Sequence, residues 1–291
     1  MKIAQVYLSL VALRPAFSLF YTRELSLKIF RNSIWFVVLC MSPLCHAQQT
    51  WRALDSENTL VIDTTKGRLI IELRPEMAPK AVERVKLLAR EKVYDGLQFH
   101  RVIAHFVAQT GNPDNKDNGK SAHPNLAPEM TFKHQSKATV AWAIKSSDTV
   151  SGFIGSVPFQ SLPFSAEQQT SLAWGAHCAG AMAMGRDKPL DSANSEFYFV
   201  LDAARDMDHE YTVVGRVVVG MDALKALKLG EPPASPDFMR TVRLLSELPA
   251  AERPKVSVMA GKALSTLIEK VRRKKGADFS ICDISVPAKI D

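Results

Sequence analysis

Phe99-His100-Arg101-Val102-Ile103, followed after two residues by Phe106-Val107-Ala108-Gln109-Thr110-Gly111, sets one guanidinium and one side-chain amide among apolar, strand-forming residues. A guanidinium is permanently charged and presents several N–H donors in a rigid plane. Beside an apolar hollow poor in water, such a donor can favour a twisted amide over a planar one. No proton transfer, nucleophile or cofactor is needed for that chemistry. Taken alone, Arg101 reads better as a surface strand residue whose stem covers apolar neighbours while its head stays in water.

Three downstream segments change that balance. They are Ala183-Met184-Gly185-Arg186, then Asp191-Ser192-Ala193-Asn194-Ser195-Glu196-Phe197-Tyr198-Phe199, and Tyr211-Thr212-Val213-Val214-Gly215-Arg216-Val217 leading to Gly220-Met221. Together with residues 99–111 they resemble the cyclophilin family of peptidyl-prolyl cis-trans isomerases, in the family's order, over residues 58–248. The resemblance implies an enzyme without a cofactor or metal that speeds X-Pro rotation, a step with a barrier of roughly 18–20 kcal/mol in an ordinary amide. By position it implies Arg101 as the catalytic arginine with His100 beside it, and Phe106 as an aromatic of the proline pocket. Gln109 would support the arginine, and the backbone at Gly185 and Arg186 would hold the residues before proline. Tyr198, Met207 and Tyr211 would complete the pocket.

The chain departs from the family in ways that bear on rate. Glu196 stands where glutamine is usual, so a carboxylate could pair with Arg101 and compete with substrate for its donors. Tyr198 brings a hydroxyl that needs a partner if buried. Asp206 replaces a tryptophan seen in many members, and the loop at 112–123 is rich in Asn, Asp and Lys instead of glycine. The competing reading is therefore a cyclophilin-fold module or chaperone that binds proline segments but isomerises weakly.

The 291 residues carry 46% hydrophobic and 23% charged residues, as an ordinary globular chain does. The net charge of +7 is concentrated at the start: residues 1–47 hold five basic residues against Glu24, and the remainder carries 32 basic and 29 acidic residues. No basic stripe interleaved with aromatics argues for nucleic acid. Lys28 and Arg31, the apolar run 34–44 and Cys45-His46-Ala47 read as a signal segment, 1–47, with the mature chain starting at Gln48. Residues 1–22 fit that leader poorly, and a start at Leu27 would account for them. The expectations are a periplasmic monomer without stable membrane insertion after signal removal, acting on unfolded or partly folded polypeptides that contain proline. In an oxidising compartment Cys178 and Cys282 either pair as a disulfide, the expectation here, or stand as two buried thiols.

The elements that would position these groups are mostly strands. Alternating runs at 60–63 and 68–73 flank a turn with Gly67, and apolar residues at helical spacing predict a helix over 78–90. Further strands are expected at 99–103, 106–110, 138–144, 180–184, 196–201 and 212–218, and a second helix over 221–229. Many strands with few helices, together with the resemblance, predict a mainly β fold: a closed eight-stranded antiparallel barrel capped by two helices. Residues 145–179 read as an insertion, and 249–291 as a C-terminal extension with a helix over 261–275 and a strand over 279–286.

Overall fold

The alternation at Thr59–Thr64 and Arg68–Leu73 folds back as an antiparallel hairpin, its turn held by Thr64 Oγ1, which accepts from the backbone N–H of Lys66 and Gly67. In a computed structural model of the chain the described residues are 50–115, 119–135, 140–145, 148–164 and 169–291. The leader read at 1–47 lies outside them.

The hairpin sits inside an eight-stranded antiparallel sheet. Across it the strands run Met239–Leu244, Thr59–Thr64, Arg68–Leu73, Val213–Val219, Ala181–Met184, Phe197–Val200, Val107–Thr110 and Arg101–Val102. Successive side chains point to opposite faces. One face, with Leu60, Ile62, Met182, Met184, Phe197 and Phe199, packs against Val82, Val85 and Leu88 of the helix Pro79–Arg90. That helix has no capping side chain of its own at Ala78. Glu129, distant in sequence, accepts from the N–H groups of Lys80 and Ala81 at 3.2 and 2.9 Å, placing a carboxylate where the helix dipole favours one.

The expectation of a closed barrel is corrected here. The sheet is curved but open, a half-barrel with a 13 Å gap. Its edge strands, Arg101–Val102 and Met239–Leu244, share no ladder; near the gap there are single bridges, Gln98 with Phe238 and Val102 with Gly230. The physical reason is in the chain that would have to close it. Pro232, Pro233 and Pro236 have no N–H to donate, and Arg101–Val102 is only two residues long.

A second sheet, in the order Phe132–Gln135, Thr170–Gly175, Val157–Ser161, Val150–Ile154 and Ala141–Lys145, covers the other face. The strand expected over 138–144 lies in this sheet, at Ala141–Lys145, and not in the main one; residues 138 and 139 are outside those described. Phe159, Val157 and Ile154 pack on Ala181, Ala183, Tyr198 and Val213. The two sheets are latched by Glu72, which is 3% exposed and accepts from the backbone N–H and hydroxyl of Ser156 at 2.9 and 2.6 Å. Arg52 and Arg74 also reach it, at 2.5 and 2.8 Å. Gly155, at φ +63°, has to be glycine, since a Cβ there would stand 2.7 Å from Glu72 Oε1.

Residues beyond 249 pack on the main sheet behind Ile70. The helix Gly261–Lys275 buries Leu264 and Ile268, and Val256–Met259 pairs with both Trp51–Ala53 and Ala288–Ile290. Cys178 and Cys282 are joined as a disulfide across 104 positions of sequence. The strand expected over 279–286 is replaced by a tight turn at Ile281–Asp283, and the strand falls at Ala288–Ile290. Ser280 and Asp283 explain this, because each side chain accepts from the other end's backbone N–H in a capping box that bends the chain at Ile281–Asp283.

Candidate active site

Register places the site. Arg101 lies opposite Gln109, Gln109 opposite Tyr198, and Tyr198 opposite Ala183, so four neighbouring strands line up one residue each. Because Val102, Ala108 and Phe197 point to the core, Arg101, Gln109, Glu196 and Tyr198 point the other way. A small residue, Ala183, leaves room over Tyr198.

The result is a cavity of about 600 Å³ whose lining includes Arg101, Phe106, Gln109, Gly185, Arg186, Glu196, Tyr198, Met207 and Tyr211. Of the residues singled out in sequence, His100 is not in the lining. It is 4% exposed and sits behind Glu196, its Nε2 at 2.6 Å from the Glu196 carboxylate. Val107, inside the first quoted segment but given no role there, also lines the cavity, as do Asp187 and Glu210, to which no motif pointed.

The guanidinium of Arg101 is held at two points. Its Nε donates to Glu231 at 2.8 Å, its Nη1 donates to the side-chain oxygen of Gln109 at 3.2 Å, and its plane lies 5.9 Å from the centre of the Phe106 ring. The Gln109 amide in turn donates to Glu196 at 2.9 Å. The expected competition from Glu196 is therefore rerouted: Glu196 meets His100 and Gln109, and the carboxylate on Arg101 is that of Glu231, 130 positions away. No local motif pointed to Glu231.

The Tyr198 hydroxyl finds its partner in His177 Nε2, at 3.0 Å. His177 is fully buried, and its Nδ1 and backbone N–H both face Asp208, at 3.0 and 2.8 Å. A carboxylate at Nδ1 selects the tautomer protonated there, which leaves Nε2 to accept from the tyrosine. Burial works to raise the Asp208 carboxyl, but the His177 side-chain and backbone hydrogen bonds and the charge of Arg205 outweigh it and hold it below its usual range. Burial also drives the Tyr198 hydroxyl well above its ordinary value, so it stays a neutral donor. On the opposite wall Arg186 stacks 4.7 Å over Tyr211 and donates to the carbonyl of Glu210 at 3.1 and 3.0 Å. Among the described residues no three His, Cys, Asp or Glu side chains converge as a metal ion would need.

Fixed cationic donors at the mouth of an aromatic-lined hollow on a rigid antiparallel sheet define a scaffold for gripping an extended peptide. Residues 59–246 match the family described as cyclophilin type peptidyl-prolyl cis-trans isomerase/CLD, and the chain belongs to that family. It is 33% identical over 184 residues to a probable peptidyl-prolyl cis-trans isomerase of Brucella suis, covering 63% of this chain and 78% of that protein. The Brucella abortus counterpart aligns to the same extent. Among solved structures, the cyclophilin AquaCyp293 from Hirschia baltica superposes with a TM-score of 0.74 at 29% identity, over 82% of this chain and 93% of that one. Family membership and this fold support peptidyl-prolyl isomerase activity.

Proposed function

We propose that the chain isomerises X-Pro bonds in exported polypeptides as they fold, with Arg101 as the catalytic donor. The observation that carries this reading is the two-point anchoring of Arg101 by Glu231 and Gln109 at the rim of the cavity. With Nε and Nη1 committed, the remaining guanidinium N–H groups are available to a substrate amide without reorganisation. Phe106, Met207 and Tyr198 supply the apolar walls for the pyrrolidine ring. The Cys178–Cys282 disulfide and the signal-like leader support action outside the reducing cytoplasm, in the periplasm. No helix among the described residues is long and apolar enough to cross a membrane.

The test is protease-coupled isomerisation of an Ala-Pro tetrapeptide. Arg101→Ala should lower kcat/KM by about 10²–10³, the effect of removing one preorganised donor. Undiminished catalysis by that variant would remove Arg101 from the mechanism. The ion pair with Glu231 favours a second reading, in which Arg101 is partly sequestered and the chain chiefly binds proline segments. Glu231→Gln separates the two, since it should raise kcat/KM if the pair competes with substrate and lower it if the pair positions the arginine.

A further inference from the structure

Charge around the cavity runs opposite to charge on the protein. Beyond residue 47 the chain is mildly basic, yet the lining holds four acidic residues, Asp187, Glu196, Asp206 and Glu210, against Arg101 and Arg186. Both cations already have partners within the protein. Arg101 is ion-paired to Glu231, and Arg186 spends its donors on the carbonyls of Asp187 and Glu210 and its face on Tyr211. The acids divide differently. Glu196 turns inward to His100 and Gln109, and Asp187 has Lys120 at 3.9 Å. The Asp206 carboxylate is exposed and has no hydrogen bond or ion pair among the described residues. Glu210 is 61% exposed, with only a 3.4 Å contact to Arg186. The one cation beside Asp206 in sequence, Arg205, is turned to Asp208 and Gln160.

We infer that Asp206 and Glu210 are specificity-determining residues that select substrates carrying a lysine or arginine within two residues of the proline. The inference rests on the isomerase reading of this cavity and adds the substrate class to it. An unpaired carboxylate, that of Asp206, and a second, that of Glu210, met only at 3.4 Å by Arg186, attract a cation that arrives with the peptide, and repel an acidic one. The preference acts over a screening length of about 8 Å at physiological salt and collapses near 1 M, where that length is about 3 Å.

The experiment compares proline tetrapeptides with Lys, Ala or Glu immediately before or after the X-Pro pair, measuring kcat/KM and, by titration, binding. The expected result is a preference for Lys over Glu of about five- to tenfold at low salt, falling towards unity at about 1 M. Asp206→Asn combined with Glu210→Gln should reduce the low-salt preference to about twofold or less. Equal values for the three peptides at low salt, or a preference that salt does not reduce, overturn the inference; the salt arm uses the unaltered protein and does not depend on the variant folding. If no peptide is isomerised, the isomerase reading falls by itself, and the titrations still decide the charge preference.

Discussion

Two buried histidines are treated in opposite ways. His177, behind the Tyr198 wall of the cavity, is wired at both nitrogens, to Asp208 on one side and Tyr198 on the other. His134, in the second sheet, lies among Phe132, Phe159, Trp142 and Phe164, with ring centres 4.8–6.5 Å away, and its Nε2 is buried without a hydrogen-bond partner among the described residues. An unmade hydrogen bond in a buried site is destabilising, so the contrast shows where the fold spends its polar matching. The relay under the pocket fixes an orientation; the aromatic box merely fills volume.

Breaking the wired side should have the largest effect. His177→Phe leaves the Tyr198 hydroxyl buried without its partner and takes one hydrogen bond from Asp208, which keeps the residue-177 backbone N–H and Arg205, and denaturant unfolding should report a loss of about 2–3 kcal/mol, with lower kcat/KM as Tyr198 loses its register. Tyr198→Phe removes only the terminal donor, and about 1 kcal/mol is expected; if it matches His177→Phe, the relay is not what holds the pocket wall. His134→Phe, in contrast, should change stability at pH 7.5 by less than about 1 kcal/mol, since it exchanges one ring for another in an apolar box.

The smallest effect is a pH signature that sharpens the contrast. Burial lowers the His134 pKa below 6.5, so above that value the ring is neutral in folded and unfolded chains alike and contributes no pH dependence. As pH falls below 6.5 the unfolded chain takes up the proton first, and stability declines until the folded value is passed. A thermal melt series from pH 7.5 to 5 should show this slope in the native protein and a shallower one in His134→Phe. Asp208 acts lower: its contribution is fully present above the ordinary carboxylate value of 3.8 and is lost as pH falls through the lowered folded value.

Much of the site was legible because it is written in contiguous strand segments. Alternation in 99–103, 106–110 and 196–201 already separates the core residues Val102, Ala108 and Phe197 from Arg101, Gln109 and Tyr198. What escaped were long-range partners with no local signature. Glu231 on Arg101, Glu129 on the helix start and Glu72 under the Ser156 turn belong to no motif, and nothing local distinguishes Asp208, on His177, from its neighbours Asp206 and Glu210. The openness of the main sheet escaped for a related reason. Strand number can be counted along a sequence, whereas closure depends on whether two edges remote in sequence can exchange N–H and C=O groups, and prolines on one side prevented it. The second sheet is built from short strands, several with weak alternation, such as Val150–Ile154, buried throughout. Periodicity carries little signal there.

The strand Val256–Met259 is shared by Trp51–Ala53 and Ala288–Ile290, segments from opposite ends of the described chain. That three-stranded unit is incomplete without residue 290, whereas the eight-stranded sheet under the cavity draws on no residue beyond Leu244. The Cys178–Cys282 disulfide is the covalent tie between the two, so the sheet that carries the cavity is complete without the segment it anchors.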